Sequence, residues 1–525
     1  MKKQFISPKH ILLLVMFVSL MGCQHEAFDK GDNGGGGITI QSINAWEPPF
    51  SLMPSDSPPD VVTKLQAAIA SAQSSNKKLI IERGVYTINA PITFPSNIEI
   101  DFSGAEFVRE SGKGVDDIFT MFTNADHVNG NSNITLSNLK INGNKNVDAL
   151  RAENYAERFS GLEFNKVSAS KLYKITATQT VNAETGCGIF FTNESHDIDA
   201  YELTAYDNDR SGILINHSNA IRIHGAVVYN NDGSGIASEA APRCEYYNIV
   251  AYHNGFYDGH VFGCSSGSDC YHYSNVSVNG IGSKIDGVLT YDCSGSGLVV
   301  GHPYNAANDG EDMHVNSSDY TIVDNVESYD AELDGITVSN SKSVLMSNLH
   351  VYNNFRCNIQ IYDNSSEVQI TNADVHGYYT KNDHINLSLA PSGLQIIGGD
   401  GHNLNNVNVH ESLGHGIYIN GTTGPISLGS EVNSYNNGQL NAYRQPNNHD
   451  LWVSGIFAEN AKNVYITGSK SFSNQPSGSI TQKYGIVLWK VQHVRIYYPQ
   501  CYGNGLANGV MQIDPSLDTD VSVVY

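Results

Sequence analysis

The chain has 525 residues and a formal net charge of −23. This acidic balance argues against a nucleic-acid-binding protein, which needs a basic surface. It allows a polyanionic partner only where a local basic patch or a bound cation compensates. Eight cysteines are present without a Cys-x-x-Cys pair, so the sequence does not predict a zinc site.

The first residues have the order of a secretory signal. Two lysines near the start precede an apolar stretch over 11–20, and Leu-Met-Gly-Cys follows directly, ending at Cys23. This order resembles the lipobox of bacterial lipoproteins, which implies that 1–22 are a signal peptide and that Cys23 carries the lipid. An ordinary signal peptide with an incidental cysteine is the alternative. We expect an exported protein at the outer membrane or cell surface, held there by the lipid alone, with 23–57 as a flexible tether and lead-in.

A short amphipathic helix is predicted next. Pro-Pro-Asp at 58–60 indicates a helix start with Asp60 as the N-cap. One helical face then carries apolar residues, namely Leu65, Ala68, Ile69 and Ala72. The stretch LQAAIASAQSSNKKLIIERGVYTINAPITF, at 65–94, resembles the capping helix and first coil of the pectate-lyase-like β-helix superfamily. That resemblance implies a helix that shields one end of a solenoid.

From about residue 186 a pattern of short alternating strands recurs, each time beginning with Gly-Ile or a related dipeptide. The starting residues are Gly188, Gly212, Gly235, Gly259, Gly297, Gly335, Asn358, His384, Gly416, Gly455 and Gly485. A period near 22 to 24 residues without a helix is one coil of a β-solenoid, and recurrent Asn and Gly suit its corners. The predicted fold is therefore all-β. It is a single right-handed parallel β-helix over 58–525, with a short N-terminal capping α-helix and insertions around 263–287, 302–320 and 421–450.

Two segments resemble the catalytic module of mannuronan C5-epimerases, which act on alginate. They are ITLSNLKINGNKN at 134–146 and LTAYDNDRSGI at 203–213. In that family a Tyr-Gly-Phe-Asp-Pro-His segment supplies the acid, the base and the charge-neutralising group. By repeat register it falls on 187–192, where Cys, Phe and Thr replace the catalytic Tyr, Asp and His. The resemblance thus implies the architecture, and none of the family's functional residues carries over.

A polar patch is predicted where neighbouring coils stack. Residues one period apart lie side by side, so His217 and Glu239 should be close together on one sheet. Arg210 precedes one of these strands and Arg243 follows the other. In uronate lyases an arginine or a cation neutralises the substrate carboxylate while a base removes the C5 proton. Here Arg210 or Arg243 would neutralise it, and His217 or His260 would be the base.

Two long coils add further candidates, because long loops beside a polar patch commonly wall a cleft. His302 occupies the same column as His217, and Tyr246 or Tyr304 would protonate the leaving oxygen. Four aromatic residues are predicted to contact sugar rings: Tyr246, Tyr271, Tyr304 and Trp489. A solvated turn residue or a core residue is the alternative for each of these side chains.

Three functions remain open at this point. The first is a lyase that cleaves an acidic, uronate-containing extracellular polysaccharide. The second is a glycoside hydrolase that pairs Glu239 with Asp209 or Asp258. The third is a non-catalytic glycan-binding or adhesin-like β-helix.

Asp207 and Asp209 could bind Ca²⁺, or form an acidic loop without an ion. Asp258 and Asp334 share the position before a glycine, which favours turn formation. We expect a monomer with no nucleic-acid partner.

Overall fold

The computed structural model describes ten stretches of the chain. They are 41–111, 119–145, 159–181, 186–256, 273–301, 317–362, 364–378, 392–439, 452–476 and 479–525. The predicted signal peptide lies outside them, as do five predicted site residues: Cys23, His260, Tyr271, His302 and Tyr304. The roles assigned to these five remain predictions.

Helix α1 (Pro58–Ser75) precedes the first full coil and packs on residues 78–101. Its N-cap is Ser57 instead of the predicted Asp60, because Pro58 takes the first helical position, where a missing N–H costs nothing. Asp60 lies in the first turn and accepts a 2.5 Å hydrogen bond from Ser57 Oγ. The predicted apolar face is confirmed, since Leu65 and its helical neighbours are buried. No helix within the ten stretches is long and apolar enough to cross a membrane.

The strands of the described residues form two sheets, and every pairing within them is parallel. Sheet I has 25 strands: β1 (Ser42–Asn44), β2 (Lys78–Ile80), β3 (Val85–Ile88), β5 (Ile98–Asp101), β6 (Glu106–Arg109), β8 (Asn131–Ser132), β9 (Ile134–Ser137), β10 (Lys140–Asn142), β12 (Val167–Tyr173), β13 (Thr176–Thr178), β15 (His196–Tyr206), β17 (Asn219–Tyr229), β19 (Glu245–Tyr252), β21 (Lys284–Cys293), β23 (Ile322–Ala331), β25 (Leu345–Tyr352), β27 (Gln369–His376), β29 (His402–His410), β31 (Ile426–Leu428), β32 (Val432–Tyr435), β34 (Val464–Thr467), β35 (Lys470–Phe472), β37 (Gln492–Tyr497), β38 (Gln500–Tyr502) and β40 (Thr519–Val524). Sheet II has 15 strands: β4 (Ile92–Phe94), β7 (Phe122–Asn124), β11 (Leu162–Asn165), β14 (Ile189–Thr192), β16 (Ile213–Asn216), β18 (Ile236–Glu239), β20 (Val276–Val278), β22 (Leu298–Val300), β24 (Asp334–Ser339), β26 (Cys357–Tyr362), β28 (Leu394–Ile397), β30 (Ile417–Asn420), β33 (Ser454–Glu459), β36 (Tyr484–Trp489) and β39 (Ala507–Gln512).

Each regular coil gives one strand to sheet II and one long strand, or two short strands, to sheet I. In sheet II the strands pair in chain order, so that Ile189, Ile213 and Ile236 share one register. All three are fully buried, because alternate residues of a strand point to the same face. Burial of each such side chain contributes roughly 1.5 to 3 kcal/mol. The predicted right-handed parallel β-helix is confirmed.

Two coils begin at other places than predicted. The position beside β18 is occupied by β20, and the position beside β26 is occupied by β28. The predicted starts, Gly259 and His384, lie outside the described residues. The segments proposed as insertions at 263–287 and 421–450 also contain regular strands, including β20, β31 and β32. Strands of only three or four residues leave little periodicity for sequence reasoning to detect.

One corner of the solenoid is lined by stacked asparagines, as the recurrent Asn residues indicate. The Asn208 side-chain amide donates to Asn231 Oδ1 at 2.8 Å, and Asn231 donates to Asn254 Oδ1 at 2.9 Å. Asn254 continues the row by donating to Asn275 at 2.8 Å. All four side chains are buried, so each amide satisfies its neighbour in place of water. This row of hydrogen bonds links successive coils at a constant spacing along the solenoid axis.

An aromatic ladder runs along the outer surface of sheet I. Eleven rings stack at centroid distances of 4.6 to 5.2 Å. They are Tyr206, Tyr229, Tyr252, Tyr291, Tyr329, Tyr352, His376, His410, Tyr435, Phe472 and Tyr502. The spacing follows from the distance between hydrogen-bonded strands, about 4.8 Å, which places equivalent rings in contact.

Candidate active site

The predicted pairing of His217 with Glu239 is present at the C-terminal ends of β16 and β18. Asn216 and Glu239 are direct register partners, and the His217 N–H donates to the Glu239 backbone carbonyl at 2.9 Å. His217 has a φ of 47°, so the chain turns sharply after β16. This turn leaves the imidazole exposed while its backbone is fixed to the next coil.

Asn216 connects the two predicted residues. Its Nδ2 donates to Glu239 Oε2 at 2.7 Å, and its Oδ1 lies 2.8 Å from His217 Nδ1. A carboxylate only accepts, so the amide nitrogen of Asn216 must face Glu239 and the amide oxygen must face His217. That oxygen also only accepts, so the network assigns the proton to His217 Nδ1. In the neutral ring the lone pair is then on Nε2, the arrangement that a general base requires.

Two arginines lie near the Glu239–Asn216–His217 group. Arg210 Nη2 lies 3.9 Å from Glu239 Oε1, and the Arg210 side chain is 29% exposed. Arg243 belongs to the turn that follows β18 and donates from Nη2 to Asn219 Oδ1 at 3.0 Å. Asn219 is two residues beyond His217, so Arg243 reaches back to the coil of the imidazole. The structure thus brings four predicted residues together: Arg210, His217, Glu239 and Arg243.

The prediction that Tyr246 contacts a sugar or donates a proton is wrong. Tyr246 has no exposed surface and belongs to the core, because its register partners Ile223 and Ile285 also point inward. Burial raises the pKa of its hydroxyl well above the usual value. The alternation of β19 places Tyr247 on the outer face, where it donates a 2.6 Å hydrogen bond to Glu245.

Trp489 lies far along the solenoid from His217, on the outer face of β36. Its register partner on the previous coil is Glu459, whose Oε2 accepts a 2.9 Å hydrogen bond from Tyr418. The Lys490 ammonium is 4.4 Å from the centroid of the Trp489 ring. This half-buried indole is not part of the His217 group, and a sugar contact there remains a prediction.

One of the two calcium candidates, Asp209, lies near an ammonium group. Lys145 Nζ is 3.3 Å from Asp209 Oδ1 and 3.7 Å from Asp232 Oδ2. A cation would have to compete with this lysine for Asp209. Asp207 lies in a turn with a φ of 55°, as the prediction of a loop indicates. Calcium binding here remains a prediction.

Sequence reasoning missed a buried ionic network on sheet II. Asp334, predicted to form a turn, is fully buried and accepts from Arg356 Nε at 3.0 Å and from a second Arg356 N–H. Arg356 also donates to Gln360 Oε1 at 2.7 Å, and Thr337 donates to Asp334 at 3.1 Å. A small surface depression is lined by Arg356 and Ser412.

Comparison with known proteins supports the fold alone. No protein-family profile matches the chain, and no characterised protein matches it by sequence. Among solved structures, the Dettilon tailspike protein gp208 superposes with a TM-score of 0.51 at 13% identity. The match covers 69% of this chain and 66% of the tailspike, so this chain spans just under two thirds of the tailspike's length.

The chain has the parallel β-helix fold. The A-module of the Azotobacter vinelandii mannuronan C-5 epimerase AlgE4 is also similar, with 15% identity, a TM-score of 0.43, and coverage of 92% of this chain and 100% of that module. PfbA, a surface adhesin of Streptococcus pneumoniae, matches at 9% identity with a TM-score of 0.35, over 90% of this chain and 94% of its own. These similarities identify neither a reaction nor a ligand for the β-helix described here.

Proposed function

We propose that this protein is a polysaccharide lyase that cleaves an acidic, uronate-containing extracellular glycan, with His217 as the base. The observation that supports it best is the hydrogen-bonded order Glu239–Asn216–His217. In the neutral imidazole this order places the lone pair on Nε2 of an exposed ring, with Arg210 and Arg243 near the group. A base oriented by a third group is the arrangement that general-base catalysis requires.

The reaction follows from these groups. Arg210 or Arg243 would pair with the substrate carboxylate, which stabilises the negative charge that develops when the C5 proton leaves. His217 Nε2 takes that proton, the C5–H electron pair forms the C4–C5 double bond, and the bond from C4 to the glycosidic oxygen breaks. The leaving oxygen takes a proton from water or from a general acid, for which the sequence predicts Tyr304. The imidazolium then returns its proton to solvent.

A local basic group also explains how a chain of net charge −23 would bind an anionic glycan. Arg210 lies 3.9 Å from Glu239, and Arg243 reaches Asn219, two residues beyond His217. The site would therefore attract a uronate even though the whole chain repels polyanions. In this proposal the protein is exported and anchored through Cys23, so that its substrate is outside the cell.

A glycoside hydrolase is the second candidate, because Glu194 lies near the same histidine. The Glu194 N–H donates to the His217 carbonyl at 2.7 Å, which places Glu194 and Glu239 on either side of the His217 coil. Two strand spacings amount to about 9.5 Å, the upper limit for the carboxylates of an inverting enzyme. The sequence-based partner Asp209 is instead close to Lys145, and Asp258 lies outside the described residues.

The test is incubation of the purified protein with a panel of uronate-containing and neutral polysaccharides. Ultraviolet absorbance of the unsaturated product and the release of reducing ends are followed together. A lyase produces both on a uronate polymer, and His217→Gln should lower kcat by about 10² to 10⁴. The matched control is His493→Gln, which removes another exposed histidine beside a carboxylate, Asp520 at 2.7 Å, on a distant coil, and should retain full activity.

Other outcomes contradict the proposal in distinct ways. Reducing ends without absorbance, lost in Glu194→Gln and Glu239→Gln, would establish the hydrolase instead. If neither ultraviolet absorbance nor reducing ends increase but the protein binds one glycan, the protein is a non-catalytic binding protein. Activity of intact cells on added polymer tests the location, and Cys23→Ser should move that activity from the membrane fraction to the soluble fraction.

A further inference from the structure

The aromatic ladder of sheet I and the column of side chains beside it change in composition over four neighbouring coils. Two consecutive rings, His376 and His410, are imidazoles where most other positions carry tyrosine. The neighbouring column, two residues earlier on each strand, changes at the same place. It is apolar at Val227, Val250 and Leu289, and then becomes Glu327, His350 and Asp374. Metal-binding side chains are thus concentrated on β23, β25, β27 and β29.

Three of these side chains converge. His350 Nε2 is 3.2 Å from His376 Nε2, and His376 Nε2 is 4.0 Å from Asp374 Oδ2. One ligand atom from each residue lies within 4.8 Å of the other two. Ligands bonded at about 2.0 to 2.1 Å in a tetrahedron are roughly 3.3 to 3.4 Å apart, so the two nitrogens already have the required separation. Asp374 is 46% exposed, and rotation of its carboxylate closes the remaining gap.

Groups behind the three ligands are placed to orient them. His410 Nε2 lies 3.3 Å from Asp374 Oδ1, the carboxylate oxygen that does not face His376. Glu327 Oε1 is 3.8 Å from His350 Nδ1, and the Tyr352 hydroxyl donates to the same Glu327 oxygen at 3.0 Å. A carboxylate near the second nitrogen of a metal-binding histidine fixes its tautomer and raises its basicity. The His376 ring is held between Tyr352 and His410 in the ladder.

We propose that His350, Asp374 and His376 bind a divalent first-row transition-metal ion, with Zn²⁺ as the expected ion. Two imidazole nitrogens and one carboxylate suit Zn²⁺, Cu²⁺ and Ni²⁺, whereas Ca²⁺ and Mg²⁺ prefer oxygen ligands alone. His350 is 48% exposed, so the remaining coordination positions face solvent and can accept water or a ligand oxygen. The ligands belong to sheet I, while Asn216 and Glu239 belong to sheet II, so this site does not depend on the proposed lyase activity.

The experiment is a titration of the purified full chain, without a histidine tag and after chelator treatment. Calorimetry with Zn²⁺ should show one site, and Co²⁺ should give visible absorption bands that Zn²⁺ abolishes. His350→Gln should weaken Zn²⁺ binding by at least about 100-fold, because second-shell losses alone cost 10- to 100-fold. Asp374→Asn should also weaken binding, and both changes are at half-exposed positions that do not disturb the core.

The matched control is His493→Gln. His493 is also an exposed histidine on sheet I beside a carboxylate, Asp520 at 2.7 Å, but no second imidazole of the described residues contacts it. The His493→Gln change should leave the stoichiometry of Zn²⁺ binding and the Zn²⁺ affinity unchanged. Absence of Co²⁺ bands in the unmodified chain, or unchanged Zn²⁺ binding in His350→Gln and Asp374→Asn, would overturn the proposal. Equal binding of Ca²⁺ would overturn the assignment to a transition metal.

Discussion

Replacement of Arg356 by methionine tests how the buried network on sheet II contributes to stability. The Asp334 side chain is fully buried, and Arg356 supplies two of its hydrogen bonds. Without the guanidinium, Asp334 still accepts a hydrogen bond from the Thr337 hydroxyl. Removal of one partner of a buried ion pair costs about 3 to 5 kcal/mol, because the other charge stays buried without compensation. We expect Arg356→Met to lower the free energy of unfolding by that amount.

The assay is urea unfolding followed by far-ultraviolet circular dichroism, with Arg495→Met as the matched control. Arg495 also binds an aspartate through two hydrogen bonds, to Asp520, but that carboxylate is 48% exposed. Exposed pairs contribute little, so the control should unfold at nearly the same urea concentration as the parent. The double variant Asp334→Asn with Arg356→Met removes both charges and should recover most of the loss. A loss below about 1 kcal/mol in Arg356→Met, or no recovery in the double variant, would refute the reasoning.

Two further predictions concern the ladder and a buried histidine. Tyr329→Ala should lower the free energy of unfolding by about 3 to 5 kcal/mol, since this buried ring stacks on Tyr291 and Tyr352. The control is Tyr502→Ala, because Tyr502 is a 49% exposed ring at the end of the ladder, and its loss should lower stability far less in the same assay. Burial lowers the pKa of His402 to about 4 from the usual 6.5, so the unfolded chain binds more protons between these values. Stability should therefore fall by up to about 3 kcal/mol as the pH drops from 6.5 to 4, and a His402→Gln variant with the same pH dependence would contradict this.

Part of the candidate site could be predicted because a solenoid converts sequence period into spatial adjacency. His217 and Glu239 are one coil apart in the chain, and the structure confirms that their backbones are hydrogen-bonded. The role of Asn216 as the connection between them was not predicted. The amide orientation depends on which neighbours it meets, and a single strand does not contain that information.

Other errors have a common physical cause. Tyr246 was a candidate because it closely follows Glu239 in the chain, and only the register with Ile223 shows that it points inward. Asp334 was interpreted as a turn residue, since the sequence does not show that Arg356 reaches it from the next coil. Irregular spacing of the repeat makes the predicted starts at Gly259 and His384 wrong, since β20 and β28 occupy those positions. The predicted starts at Gly297, Gly335, Asn358, Gly416, Gly455 and Gly485 keep their register.

Local residue order specifies the architecture, because strand alternation, the repeat near 23 residues and the asparagine corners all follow from it. The aromatic ladder was not predicted, although its rings, most of them tyrosine, recur once per coil and stack at the strand spacing. The tertiary structure alone decided which columns become neighbours. His350, Asp374 and His376 come from two coils, and their convergence depends on side-chain rotamers and exact register. Chemistry that combines different columns is therefore visible only after the coils are stacked.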